Sequence, residues 1–180
     1  MSSFLSEKVV VNVLRSEYSE WISNLNNEEI HAIRKYSYNS NDFERSNRFF
    51  ERLNRWLRGE YNENNELILK KYAKIISDAL KKHPTKHSFT CYRRVNYIPF
   101  DESKIGHDFK FNQFISTSVV QSKTIKGKYL LIIHIPIGTL GAYIEELSCF
   151  PKQREFLLDK DCIYRILSIK EDIIEVEVIV

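Results

Sequence analysis

The chain of 180 residues is poor in glycine (5), proline (4) and cysteine (3). So few glycines and prolines exclude collagen-like, linker-like and low-complexity chains. Cys91, Cys149 and Cys162 are odd in number and show no C-x-x-C spacing, which argues against a disulfide scaffold and a structural zinc site. Free buried thiols in an ordinary globular domain are the expectation, with one bridging pair left open. A long hydrophobic run is missing too. The longest, Tyr129 to Ile137, is interrupted by His134 and Pro136 and is about half of what a membrane span needs. The run Val9 to Leu14 follows Glu7, ends at Arg15 and lacks the regions of a signal peptide; a longer secreted precursor stays open. Nor does one sign of charge prevail. With 27 basic and 24 acidic residues, the formal balance of +3 neither demands a polyanion partner nor excludes one.

What the chain does have is apolar content. Hydrophobic residues make up 43% and aromatics 13%, ample for a packed core. The length fits a single domain over residues 1–180. Its organisation changes near Pro84. Upstream, apolar residues recur at three- and four-residue spacing in Trp21, Ile22, Leu25, in Phe49, Phe50, Leu53, Trp56, Leu57, and from Leu67 to Leu80. Asn41 with Glu44 reads as a capping box and Gly59 as a helix stop.

Downstream the period becomes two. Phe111–Val120, Tyr129–Ile137, Glu155–Leu158, Cys162–Ile169 and the alternating run Glu175–Val180 predict strands, with turns at Gly138, Gly141, Pro151 and Asp159–Asp161. Residues 1–90 carry 15 basic and 12 acidic side chains, residues 91–180 carry 12 of each. Helices first and strands second predict an α+β fold, with residues 1–84 as a helical lobe and 85–180 as a β-rich core.

The common chemical motifs are absent: no G-x-G-x-x-G, no P-loop, no G-x-S-x-G. His83 and His87 are four apart, but Pro84 prevents the helix that would aim both at one metal, and His134 reads as a strand residue. Three short segments carry more. Tyr92-Arg93-Arg94 ends the first predicted strand, Ser116-Thr117-Ser118 lies in the next, and Phe150 to Glu155 is a turn-rich loop entering a strand. Each has a bland reading as a rim ion pair, an edge strand or a chance Gln-x-Glu. Their joint chance occurrence is below roughly 0.01 from average residue usage.

In that order, the segments resemble the signature of the mono-ADP-ribosyltransferase toxins: aromatic-Arg, Ser-Thr-Ser and [Glu/Gln]-x-Glu. Residues 141–158 are similar to the family's turn-turn loop and following strand. Leu53-Asn54-Arg55-Trp56-Leu57-Arg58 is similar to its helical Ile-Asn-x-x-Leu-Arg segment, and Trp21 with Ala32-Ile33-x-x-Tyr36 fits the helix before it. The resemblance implies the ADP-ribosyltransferase fold, with N-terminal helices packed on a mainly antiparallel two-sheet β-sandwich. It implies NAD as co-substrate and no metal, since nicotinamide already leaves from a cationic ring.

The same resemblance assigns roles. Glu155 contacts the nicotinamide-ribose hydroxyl, Ser116 holds Glu155, Thr117 and Ser118 shape the pocket, and Arg93 with Asn54, Arg55 and Arg58 clamps NAD. Family members with Gln at position 153, such as the clostridial-type Rho-inactivating single-domain exoenzymes, modify asparagine on Rho-family GTPases. Phe150 matches the aromatic residue with which those exoenzymes recognise the GTPase. The expectation is a secreted bacterial exotoxin acting in the host-cell cytosol, with NAD glycohydrolysis as a side activity. No receptor-binding or translocation domain is recognisable. Residues 121–128 fall where the family's mobile loop lies, without a register that assigns any one of them. Two rival readings stay open. One keeps NAD but uses water or arginine as acceptor. The other is a nucleic-acid or protein interaction module, suggested by Arg45, Arg48, Arg52 and Arg55 at helical spacing but broken by Asp42, Glu44 and Glu51.

Overall fold

The computed structural model describes residues 4–38, 48–60 and 66–180. Among these residues the helical spacing becomes four helices, α1 (Glu7–Ser23), α2 (Asn27–Ser37), α3 (Phe49–Leu57) and α4 (Glu66–Lys81). α1 buries Val10, Leu14, Tyr18 and Trp21, a stripe spaced by three and four residues. Trp21 also donates its indole N–H to the Ala79 carbonyl of α4 at 2.9 Å. A capping box starts α2: the Asn26 side chain accepts from the Glu29 amide, and the Glu29 carboxylate accepts from the Asn26 amide, both at 2.9 Å. α3 ends as its sequence suggests. Gly59 takes φ +74° just past the helix and donates to the Trp56 carbonyl at 2.9 Å. The capping box read at Asn41 and Glu44, and Arg45 of the basic spacing, lie outside the described residues.

The downstream half forms β1 (Phe89–Val95), β2 (Asp108–Phe109), β3 (Ile115–Ser118), β4 (Tyr129–Ile135), β5 (Gly141–Tyr143), β6 (Glu155–Leu158), β7 (Ile163–Lys170) and β8 (Ile173–Ile179). Their order is β2-β7-β8-β4-β1-β3-β6-β5, antiparallel throughout except for the parallel pair β4–β8. The two sheets expected from the sequence are two limbs of one hydrogen-bonded sheet. They meet between β1 and β3 at a single register pair, Tyr92↔Ser118. Rings link helix to strand: Tyr18 of α1 and Phe89 of β1 both meet Phe156 of β6 edge-on, at 6.0 and 5.0 Å.

Two segments differ from their sequence reading. The strand expected over Phe111–Val120 is confined to Ile115–Ser118, because Asn112 at φ +53° breaks extended backbone ahead of it and the Ser118 hydroxyl turns onto Val120 behind it. Gly141–Tyr143, read as part of a loop, is the edge strand β5. A Cβ at Gly141 would stand 2.7 Å from the Phe156 ring and 2.8 Å from the Leu157 carbonyl, so only glycine admits this pairing. All three cysteines are free, with Cys91 and Cys162 buried and Cys149 exposed. Burial pushes the Cys91 and Cys162 thiols up to about 12, which leaves them protonated and inert. Among the described residues no helix is long and apolar enough to cross a membrane.

Candidate active site

A cavity of about 520 Å³ opens between α3 and the β3–β6 limb, in the size range of small-molecule sites. Its chemistry starts at β3. Alternation along the strand directs Ser116 into the cavity, where its hydroxyl donates to Glu155 Oε1 at 2.5 Å. The adjacent Thr117 turns into the protein and donates to the Phe156 carbonyl at 2.7 Å. Register fixes the partner, since Ser118 pairs with Glu155 and Ser116 with Leu157. A second hydroxyl, Ser148, reaches Glu155 Oε2 at 3.4 Å from the loop that precedes the strand. Glu155 is only 5% exposed. Burial therefore raises its carboxyl above the usual glutamate range, against the opposing pull of the two serine hydroxyls and of Arg93.

Arg93 of β1 donates to the Ser116 carbonyl at 2.5 Å and lines the same cavity. Burial pulls its guanidinium below its ordinary value, opposed by Tyr36 and Glu155, and the group remains a cation at neutral pH. The opposite wall comes from α2 and α3. Asn54 is buried, and its amide donates to the Tyr36 hydroxyl at 3.0 Å and the Phe114 carbonyl at 3.4 Å. Among the described residues its Oδ1 has no hydrogen-bond partner, an acceptor that a ligand would satisfy. Arg55 and Arg58 line the cavity from the end of α3. The Arg58 fork grips Glu60 at 2.6 and 2.7 Å and also donates to Gln113. These arginines give one wall of the cavity a local positive charge without giving the whole chain a basic charge.

The rim is built from loops. Pro151–Gln153 forms a single 3₁₀ turn that carries Gln153 at the cavity edge, beside Phe150. Phe150 keeps 38% of its surface exposed. The segment 121–128 contributes Ile125 to the lining. Glu7 of α1 holds one end of that segment by accepting from the Gln121 amide at 2.9 Å. Gly127 pins the other end, where a Cβ would stand 2.8 Å from the Val95 amide of β1.

Of the residues singled out from the sequence, Glu155, Gln153, Ser116, Arg93, Asn54, Arg55, Arg58 and Phe150 come together around this one cavity. Thr117 and Ser118 do not line it; they are buried in β3 and bonded to backbone. Among the described residues Arg93 makes no rim ion pair, while Arg58 joins the cavity wall and an ion pair at once. His83 and His87 sit in a loop, both facing the Glu17 carboxylate, at 3.0 and 3.7 Å. Sequence reasoning missed Ser148, Gln113 and Ile125. The first two act on residues 7 and 55 positions away, a separation that leaves no periodic trace.

The profile of the ADP-ribosyltransferase exoenzymes matches residues 14–177. The chain belongs to that family. Among its relatives is the NAD(+)–arginine ADP-ribosyltransferase EFV of Enterococcus faecalis, 29% identical over 177 residues that make up 92% of this chain and 34% of the relative. The chain thus spans about a third of the length of this curated relative. Solved structures share the exoenzyme fold. Plx2a, an ADP-ribosyltransferase toxin from Paenibacillus larvae, superposes with a TM-score of 0.78 at 22% identity over 100% of both chains. C3stau2 from S. aureus, solved with NAD, gives 0.79 at 19% identity over 99% of this chain and 98% of its own. The binary enterotoxin component BECa of C. perfringens gives 0.77 at 21%, covering 99% of this chain and 50% of that one. The α+β exoenzyme fold is therefore established for this chain.

Proposed function

We propose that this exoenzyme transfers ADP-ribose from NAD to an asparagine of a Rho-family small GTPase, releasing nicotinamide, and acts as a secreted toxin in the host-cell cytosol. One observation carries the reading: a buried carboxylate, Glu155, bonded to Ser116 inside a cavity walled by Arg93, Asn54, Arg55 and Arg58, with an uncharged Gln153 at its edge. Residues 1–180 work in this reading as one catalytic domain.

Cleaving the N-glycosidic bond of NAD develops positive charge on the ribose, as in glycoside hydrolysis. Glu155 accepts the ribose 2′-hydroxyl hydrogen bond, and that bond strengthens as the charge grows, so the gain falls on the transition state. Ser116 and Ser148 fix the rotamer of the carboxylate. Arg93 and the α3 arginines hold the diphosphate, with Asn54 Oδ1 ready for a ligand donor. Thr117 and Ser118 keep β3 in register. Nicotinamide leaves with the bonding electron pair as a neutral molecule. The acceptor nitrogen then bonds to C1′ and gives up its proton to water, because Gln153 is no base. The Gln153 amide exchanges paired hydrogen bonds with an asparagine amide and so orients it. Phe150, exposed beside it, meets the surface of the GTPase. When the site holds no acceptor, water takes its place and the product is free ADP-ribose, the glycohydrolase side activity.

Arginine is the second reading, favoured by the arginine specificity in the name of the Enterococcus relative. Incubation of the protein and labelled NAD with a panel of small GTPases and with actin separates the two. Labelling of a Rho-family GTPase at asparagine supports the first reading; labelling of actin alone, at arginine, replaces it with the second.

A further inference from the structure

Outside the cavity, the most heavily partnered buried carboxylate among the described residues is Glu145, 7% exposed, in the loop between β5 and β6. Arg15 of α1 grips it with a fork, Nε on Oε2 at 2.7 Å and Nη2 on Oε1 at 2.9 Å. The Tyr143 hydroxyl donates to Oε2 at 3.0 Å. Arg154 closes on Oε1 from the other side. Two arginines on one carboxylate exceed what a simple ion pair needs.

Arg154 is the middle residue of the Gln153–Glu155 segment, and its backbone is unusual. It takes φ +52°, ψ +49°, the left-handed region that favours glycine, at the exit of the turn bearing Gln153. A glycine would adopt that shape without strain but would carry no tether. The arginine ties the turn to Glu145, and through Glu145 to a helix 130 positions away in the chain from its contact. α1 contributes no residue to the cavity wall.

The two functional neighbours of Arg154 depend on this tether unequally. Glu155 is held by the sheet, through its pairing with Ser118 on one side and the Ile144 amide donating to its carbonyl at 3.0 Å on the other. Gln153 sits in the turn, where its backbone N–H donates to the Phe150 carbonyl at 2.9 Å. We propose that the Arg15–Glu145–Arg154 chain positions Gln153 relative to Glu155, so that transfer to a protein acceptor depends on it more than cleavage of NAD does. The inference rests on the roles given to Gln153 and Glu155 above. Arg15, Glu145 and Arg154 are positioning residues that touch no reacting atom.

The test measures two rates on the same full-length preparations. One is labelling of a purified Rho-family GTPase, and of actin in parallel, by labelled NAD; the other is nicotinamide release without acceptor. A wild-type protein that neither releases nicotinamide nor labels an acceptor refutes the proposed function and says nothing for the tether. Given both activities, Glu145→Gln and Arg15→Gln are expected to lower the ratio of transfer to hydrolysis about tenfold, the scale of a misplaced reacting group, with the KM for NAD changed less than about twofold. Arg15→Lys, which keeps the cation without the fork, falls between. The double variant Arg15→Gln/Arg154→Gln is expected to be little worse than either single one, since both break one chain of contacts. An unchanged ratio, with both rates falling together in step with the Tm, overturns the proposal. Arg15 is exposed, so its variants report even where Glu145→Gln unfolds.

Discussion

Glu155 and Gln153 stand two residues apart and share one cavity, yet they belong to different kinds of structure. Glu155 begins a strand with all four residues buried and with hydrogen-bonded neighbours on both edges. Gln153 closes a three-residue turn between an exposed Phe150 and a strained Arg154. In the proposed function this contrast divides the labour of group transfer. Bond cleavage needs one carboxylate at one fixed point, which a sheet interior supplies. Choosing an acceptor needs a surface that can differ among relatives without disturbing the sheet, and a turn supplies that.

The sharpest way to break the contrast is at the strand. Glu155→Gln is expected to lower both transfer and nicotinamide release at least about a hundredfold, the scale of losing a placed electrostatic contact. Steady-state rates with and without acceptor check it, and retained hydrolysis would move the charge-stabilising role elsewhere. Next comes the turn. Gln153→Ala should reduce transfer at least about tenfold while nicotinamide release persists. Equal loss of both would erase the division between strand and turn. Ser116→Ala, on the strand side, should reduce both rates by about tenfold, because a hydrogen bond to a charged group is worth about 1.5–3 kcal/mol. A loss confined to transfer would assign Ser116 to acceptor choice.

The smallest effect is on stability. Burial raises the Glu155 carboxyl, so the folded protein holds that proton more tightly than the unfolded chain does. Stability then falls as pH rises from the ordinary glutamate value to the raised one, and above both the buried charge is a constant burden. Glu155→Gln should raise the Tm at neutral pH by about 2–4 °C, the scale of roughly 1 kcal/mol in a chain of this size. The gain should shrink on acidification toward the ordinary glutamate range near about 4.3. Melting curves at neutral and acid pH check the sign. A variant less stable at neutral pH would show that the serine bonds and Arg93 outweigh desolvation.

Legibility in the sequence followed distance along the chain. The spacing of Phe49, Leu53 and Trp56 and the stop at Gly59 are local, and α3 lies where they predict. The run Glu155–Leu158 coincides with β6 for the same reason. β2 and β5, of two and three residues, are too short to show a period. The pairing of Ser116 with Glu155 spans 39 positions, and only the family resemblance suggested it. Neither spacing nor resemblance pointed to Ser148, Gln113 or the grip of Arg15 on Glu145, since each depends on how distant elements dock. The single continuous sheet was hidden likewise, because one register pair decides it.

The parallel pairing of β4 with β8 has a kinetic consequence. β4 and β8 are neighbours, and everything between them in the chain, residues 136–172, is a crossover connection holding β5, the turn with Gln153, β6 and β7. Closing that pair encloses a long loop, whose ordering entropy must be met before the contact is rewarded. The segment to which the proposed function gives the chemistry is thus also the segment whose organisation allows the sheet to close. Substitutions within it that disturb the turn should slow refolding as well as change the acceptor, whereas substitutions on the exposed face of α4 should do neither.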